Sequence, residues 1–139
     1  MPSFGQRSLE RLATCDPDLQ RLFADVVKRF DCSVISGHRT PDEQQELYAQ
    51  GRTKPGRIIT YKDGVNSLSK HNHYPSIAVD VVPYPIEWGN TERMCYFAGW
   101  VMQTAHSMGI SLKWGGDWNR DTNTADERFV DLPHFELIP

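Results

Sequence analysis

The sequence predicts an α+β fold: a small, mainly antiparallel sheet flanked by helices, in a single domain covering residues 1–139. Three observations predict it. Short β-branched runs alternate with stretches of helical period, without the regular βαβ repeat of a doubly wound sheet. A length of 139 residues suits one hydrophobic core and is too short for a catalytic domain plus an ordinary separate binding module. The composition, 39% apolar and 24% charged with a net charge of -3, is that of an ordinary soluble domain.

The elements follow in order. Asp16-Pro17 reads as an N-cap and a proline at the first helical position, and Leu19, Leu22, Phe23, Val26 and Val27 then recur at helical spacing, predicting a helix that ends near Phe30. Cys32 to Ser36 is a short β-branched run closed by Gly37, and Thr40-Pro41 opens a second helix with Glu43 three residues after the cap. From Gly51 to Asn72 the Gly, Pro, Lys and Ser content is too irregular for one regular element. Ile77 to Val82 predicts a central strand stopped by Pro83 and Pro85. Thr91 to Met108 predicts the longest helix, apolar on one face and stopped by Gly109. A strand from Ile110 to Trp114, a polar loop and a last strand from His134 to Ile138 complete the chain.

Several function classes are excluded at this level. No basic stripe points to nucleic acid. The N-terminal residues lack the apolar core of a signal peptide, and no apolar run approaches the length of a membrane span, so the expectation is a protein left in the cytosol and not inserted in a membrane. Cys15, Cys32 and Cys95 are odd in number and in no CxxC pair, which predicts buried free thiols and leaves any metal to nitrogen and oxygen donors.

The chemistry centres on SKHNHYPSIAVD, residues 69–80, which sets Asp80 in an apolar strand just after two histidines. An unpartnered carboxylate in such a place is costly, so it is hydrogen-bonded, ion-paired or bound to metal. Alternation puts Asp80 on one face with Ala78 and Val82, with Val79 and Val81 on the other. In DLPHFEL the device repeats: His134 and Glu136 share one face, Phe135 and Leu137 the other. Two such strands side by side, with a loop histidine above, would gather three zinc donors and leave a fourth position open. From spacing alone a purely structural, hydrogen-bonded role for these residues stays equally open.

The series SGHRT, QQELYAQGRTKPGRIIT, GVNSLSKHN, AVDVVPYP, WGGDWN and DLPHFEL resembles, in order from Ser36 to Leu137, the M15 family of zinc peptidoglycan peptidases, specifically its L-alanyl-D-glutamate endopeptidases of phage endolysins and bacterial autolysins. The resemblance implies a zinc fold like that of D-Ala-D-Ala peptidases and the Hedgehog signalling domain. It implies Zn2+ held by His71, Asp80 and His134, Asp131 as catalytic base, and Arg39 assisting the polarised carbonyl oxygen. It further implies a monomeric endolysin that acts on peptidoglycan stem peptides, accumulating in the host cytoplasm and reaching the cell wall once another protein has opened the membrane. Two alternatives stay open, a D-alanyl-D-alanine carboxypeptidase or dipeptidase, and a non-catalytic zinc-stabilised binding module; retention of Asp131 and Arg39 speaks against the second.

The sequence departs from the family in one place. The family pattern has seven positions from histidine to aspartate, whereas His71 lies nine before Asp80 and His73 seven. The SKHN text favours His71 with a two-residue insertion around His73-Tyr74, since a loop tolerates insertion better than a metal site tolerates a replaced ligand; His73 is the alternative. Glu136 reads as a structural or supporting partner of the site and not as a ligand, a group that could hold a ligating imidazole in the right tautomer. Trp114, Asp117 and Trp118 are either a packed loop or a cleft wall. Gln45 and Tyr48 read as helix-face residues, Arg52, Lys54 and Arg57 as a solvated loop, and His38 and His106 as surface or satisfied core residues.

Overall fold

The computed structural model describes residues 1–139. In chain order the elements are α1 (Gln6–Leu12), α2 (Pro17–Val26), β1 (Cys32–Ser36), α3 (Pro41–Ala49), β2 (Ala78–Pro83), α4 (Thr91–Ser107), β3 (Leu112–Trp114) and β4 (His134–Leu137), with a single 3-10 turn at Lys70–Asn72 before β2. The strands form one antiparallel sheet in the order β1-β2-β4-β3. The small antiparallel sheet with flanking helices matches the sequence expectation.

Local chemistry starts the helices where expected. The Asp16 side chain accepts from the Asp18 N–H ahead of Pro17, and Thr40 and Glu43 form a reciprocal capping box at the head of α3. Regular α2 stops at Val26, and hydrogen-bonded turns carry the chain to Phe30, the predicted end. Helix α1 was not expected. It has little apolar periodicity and is fixed by tertiary bonds instead: Ser8 Oγ accepts from the Val34 N–H at 3.0 Å, and Arg11 Nη1 donates to the Val34 carbonyl at 2.9 Å. These bonds satisfy backbone groups on the outer edge of β1, which would otherwise be an unpaired sheet edge.

The core lies between the sheet and helices α2 and α4. Val79, Val81 and Phe135 point into it, where Phe135 meets Phe23 and Phe97 edge-on at 5.7 and 6.2 Å. Burying a side chain such as Phe135 contributes about 1.5–3 kcal/mol, and edge-to-face contacts add to it. All six residues of β2 are buried, because the strand is central and its second face is covered by the polar site. Cys15 and Cys32 are buried free thiols, as expected, and Cys95 is half-buried.

Two features aim the sheet at the site. A bulge between Val34 and Ser36 brings Ser36 opposite Asp80 at the end of the β1–β2 ladder. Gly37 follows it, where any Cβ would collide with the Arg11 carbonyl and the Thr14 hydroxyl. Only glycine lets the chain pass so close to α1, and the Gly37 carbonyl is thereby delivered to the site.

Candidate metal centre

The β2–β4 register sets Asp80 directly opposite His134 and Ala78 opposite Glu136, while Val79 faces Phe135. Period-two alternation then collects Asp80, His134 and Glu136 on the face away from the core, and Ala78 leaves room beside them. His71 joins them from the 3-10 turn. That turn is self-capped, with Ser69 Oγ accepting from the His71 N–H and Asn72 Oδ1 accepting from the Ser69 N–H. It is tied to the post-bulge segment by Arg39 N–H to the His71 carbonyl at 2.8 Å and Asn72 Nδ2 to the Arg39 carbonyl at 3.0 Å. His71 is thereby 1% exposed.

The three donor atoms, His71 Nε2, His134 Nδ1 and Asp80 Oδ1, form a triangle with every edge 3.3 Å. Donors about 2.0–2.1 Å from a tetrahedral zinc stand about 3.3 Å apart, so the triangle has the dimensions of three corners of such a site. The far nitrogens determine which atoms face inward. His71 Nδ1 lies 2.7 Å from the Gly37 carbonyl, which can only accept, so Nδ1 carries the hydrogen and Nε2 presents a lone pair. His134 Nε2 lies 2.9 Å from Glu136 Oε1 and donates to it, turning Nδ1 inward. Asp80 Oδ1 is buried and has no hydrogen-bond partner. Three lone-pair-bearing atoms thus converge, one of them an orphaned buried carboxylate oxygen, and the residues could hold a metal ion.

The electrostatics are consistent with this. Burial pushes the His71 pKa down, against the pull of Asp80, which favours the neutral imidazole that ligates metal. Burial alone would raise Asp80, but His71 and His134 outweigh it and hold its carboxyl well below the usual carboxylate range. For His134 burial works downward, and the neighbouring Asp80 and Glu136 carboxylates overcome it and push the group up to about 9. Burial also opposes the ionisation of Glu136, yet its hydrogen bond to His134 lowers it.

Asp131 and Arg39 complete the constellation. Asp131 Oδ2 stands 3.8 Å from His134 Nδ1, and its N–H donates to the Gly115 carbonyl while the Gly115 N–H donates to the His134 carbonyl, a close approach in which a Cβ on Gly115 would strike the Asp131 carbonyl. Burial, then the Asp80 charge, push Asp131 up to about 6. Arg39 spends three N–H groups on the protein: Nη2 donates to Asp80 Oδ2 at 2.7 Å, Nε to Ser36 Oγ at 3.0 Å and Nη1 to Gln44 Oε1 at 3.2 Å. Both residues face a cleft of about 440 Å³ whose apolar wall includes Leu47, Ile59, Tyr61, Leu68, Trp118 and Phe129.

The structure therefore brings His71, Asp80, His134, Asp131 and Arg39 together and leaves His73 exposed at the end of the turn. His38 stacks edge-on against Tyr74, and His106 is exposed on α4. The tryptophan motif divides: Trp114 is buried with its Nε1 donating to the Leu132 carbonyl, Asp117 caps its own loop, and Trp118 tilts over His134 at 5.3 Å as a cleft wall. Gln45 is exposed. Arg52 covers the Tyr48 ring and pins the loop through the Tyr48 and Thr60 carbonyls, and Lys54 pairs with Glu46. Arg57 is exposed. Sequence reasoning missed Gln44, which is fully buried and joins Arg39 to Thr60 Oγ1 and the Lys62 carbonyl. A signal existed: Gln44 lies four after the Thr40 cap and three before Leu47, on the inward face of α3.

The chain is similar to several known proteins. The Escherichia phage T5 L-alanyl-D-glutamate peptidase is 29% identical over 143 residues, covering 97% of each chain. The Bacillus subtilis (strain 168) peptidoglycan L-alanyl-D-glutamate endopeptidase CwlK is 33% identical over 117 residues, 81% of this chain but 64% of CwlK, so the chain spans less than two thirds of that relative. Among solved structures, the Serratia marcescens L-Ala D-Glu endopeptidase ChiX superposes with a TM-score of 0.68 at 26% identity, over 99% of this chain and 91% of ChiX. The vancomycin resistance D,D-pentapeptidase VanY, solved in complex with Zn(II), shares the fold at a TM-score of 0.53 and 19% identity, over 93% of this chain and 71% of that one. The family model for phage L-alanyl-D-glutamate peptidases matches residues 2–138, almost end to end, and the chain belongs to that family.

Proposed function

We propose that the chain is one catalytic domain, residues 1–139, that hydrolyses the L-alanyl-D-glutamate bond of peptidoglycan stem peptides with a single zinc ion. The observation that carries this is the triangle of His71 Nε2, His134 Nδ1 and Asp80 Oδ1, with its orphaned buried oxygen. Two imidazoles and one carboxylate suit zinc better than calcium or magnesium, which favour all-oxygen sites. When bound, zinc supplies a Lewis acid that polarises the scissile carbonyl and acidifies a water.

The chain's own residues supply the rest. Asp131 is the general base: its carboxylate takes the proton of the attacking water and returns it to the departing glutamate nitrogen as the carbon–nitrogen bond breaks. Arg39, which lines the cleft, holds Asp80 through Nη2 and has two further N–H groups available to stabilise charge growing on the carbonyl oxygen. Glu136 and the Gly37 carbonyl hold the two imidazoles in their ligating tautomers, and Trp118 shields His134 from water. In the cell the enzyme acts as a monomeric phage endolysin, accumulating in the host cytoplasm and attacking the wall at lysis. No helix is long and apolar enough to cross a membrane.

The test is mass analysis of purified peptidoglycan digested by the zinc-loaded protein. Expected are peptides with a new N-terminal glutamate and glycan strands of unchanged length that keep lactyl-L-alanine. Release of free D-alanine alone would overturn the assigned bond, and shortened glycans without new amino termini would rule out a peptidase.

A further inference from the structure

The cleft is lined by three acidic side chains, Asp80, Asp131 and Glu136, and three basic ones, Arg39, Lys62 and Lys70. The acids are all placed against partners: Asp80 against Arg39 and both imidazoles, Glu136 and Asp131 against His134. Arg39 is held by Ser36, Gln44 and Asp80. Lys62 and Lys70 differ, since neither ammonium makes an ion pair or side-chain hydrogen bond at contact distance, although the Lys70 charge reaches Glu136 and helps to lower it. A divalent cation at the triangle therefore tips the lining to net positive, and concave walls of low dielectric focus that potential on whatever enters.

The two free lysines are not equivalent. Lys70 opens the self-capped turn and directly precedes His71, so its backbone is held beside the metal-ligating triangle by the same bonds that hold the imidazole. Lys62 belongs to an irregular exposed segment, attached through its carbonyl to Gln44. Of the two, Lys70 is the cation whose position is coupled to the reacting centre.

A glutamyl residue inside a peptide commits one of its two carboxyls to the chain and keeps the other free. In an L-alanyl-D-glutamyl substrate the departing nitrogen belongs to that residue, so its second carboxyl group, a carboxylate unless amidated, is separated from that nitrogen by at most three carbons. We propose that Lys70 is the specificity-determining residue for the leaving side, its ammonium receiving the free carboxylate of the D-glutamyl residue. This rests on the L-alanyl-D-glutamate assignment above. It makes the enzyme selective for stem peptides in which that carboxylate is free over those in which it is amidated.

The test uses zinc-loaded protein and two soluble synthetic peptides that differ in one group, a free carboxylate or a carboxamide on the D-glutamyl residue. Wild type is expected to favour the carboxylate about ten- to hundredfold in kcat/KM, chiefly through KM, as loss of a charge-assisted hydrogen bond predicts. Lys70→Met should bring kcat/KM on the carboxylate peptide down to the wild-type level on the carboxamide, with zinc content and circular dichroism unchanged. Lys70→Arg should restore most of the preference, and Lys62→Met should retain it. A Lys70→Met enzyme that keeps the full preference, or loss of preference in Lys62→Met instead, overturns the proposal while the bond assignment stands. Wild type that cleaves neither peptide, yet releases another product from peptidoglycan, overturns the bond assignment and this proposal with it.

Discussion

The two faces of the β2–β4 strand pair are built from the same backbone and the same register, yet they are held by different physics. On one face Val79, Val81 and Phe135 are each 0% exposed and pack against α2 and α4. On the other, Asp80, His134 and Glu136 are 8, 6 and 7% exposed, nearly as buried, but they are aimed by directional bonds, Asp80 Oδ2 by Arg39 and His134 Nε2 by Glu136, while Asp80 Oδ1 is left without a partner. The apolar face is cohesive without being directional, so it tolerates swaps that conserve volume. The polar face is directional and depends on every bond in it. A register slip of one residue would exchange the two faces and destroy both core and site, so the apolar pattern that selects the fold also places Asp80 opposite His134.

The comparison breaks most visibly at the triangle. His71→Ala or Asp80→Ala should abolish zinc binding and activity, whereas His73→Ala, outside the site, should keep its zinc; metal analysis of the purified variants decides, and the reverse pattern would make His73 the ligand. Next comes Asp131→Asn, expected to keep fold and zinc while turnover falls about 10²–10⁴-fold, measured by peptidoglycan solubilisation. Activity near wild type would move the base elsewhere, with Glu136 the next residue to test.

The opposite face should respond in stability. Phe135→Ala removes the aromatic hub between Phe23 and Phe97 and should cost about 3–5 kcal/mol in denaturant unfolding. Glu136→Gln, on the polar face of the same strand, should unfold near the wild-type midpoint but bind zinc about 10–100-fold more weakly, because the amide holds the His134 tautomer less firmly. A large stability loss in Glu136→Gln would mean that the polar face also carries the fold.

The smallest effect is one of pH in the metal-free protein. His134 is raised from 6.5 to about 9, so its folded form binds the proton more tightly than the unfolded chain. That stabilisation is complete below about 6.5 and is lost as pH rises through 9, while zinc affinity should rise over the same window as the competing proton leaves. His134→Ala should remove this slope from a thermal-unfolding series; an unchanged slope would assign it to another group.

Much of this was legible from spacing. The alternation in AVDVVP and HFEL, the helix starts at Pro17 and Pro41 and the long amphipathic α4 all depend on near neighbours, and the structure reproduces them within a few residues. Helix α1 and Gln44 were not legible as they act. Each has its defining partner more than ten residues away: Ser8 and Arg11 bond Val34, and Gln44 reaches Thr60 and Lys62 from α3.

The sequence by itself determined the fold class and the two strands with their opposite faces, Asp80 on one strand and His134 and Glu136 on the other, because period-two and period-3.6 patterns are local and hydrophobic burial acts on them directly, whereas His71, Asp131 and Arg39 were drawn in by the family resemblance. Tertiary structure decided which atoms converge. That Asp80 stands opposite His134, that the Gly37 carbonyl turns His71 Nε2 inward and leaves His73 outside, and that Arg39 is held on Asp80 are consequences of strand pairing, a bulge and a capped turn. Each joins segments some 30 or more residues apart. Directional bonds between such segments have no periodicity for a single sequence to display.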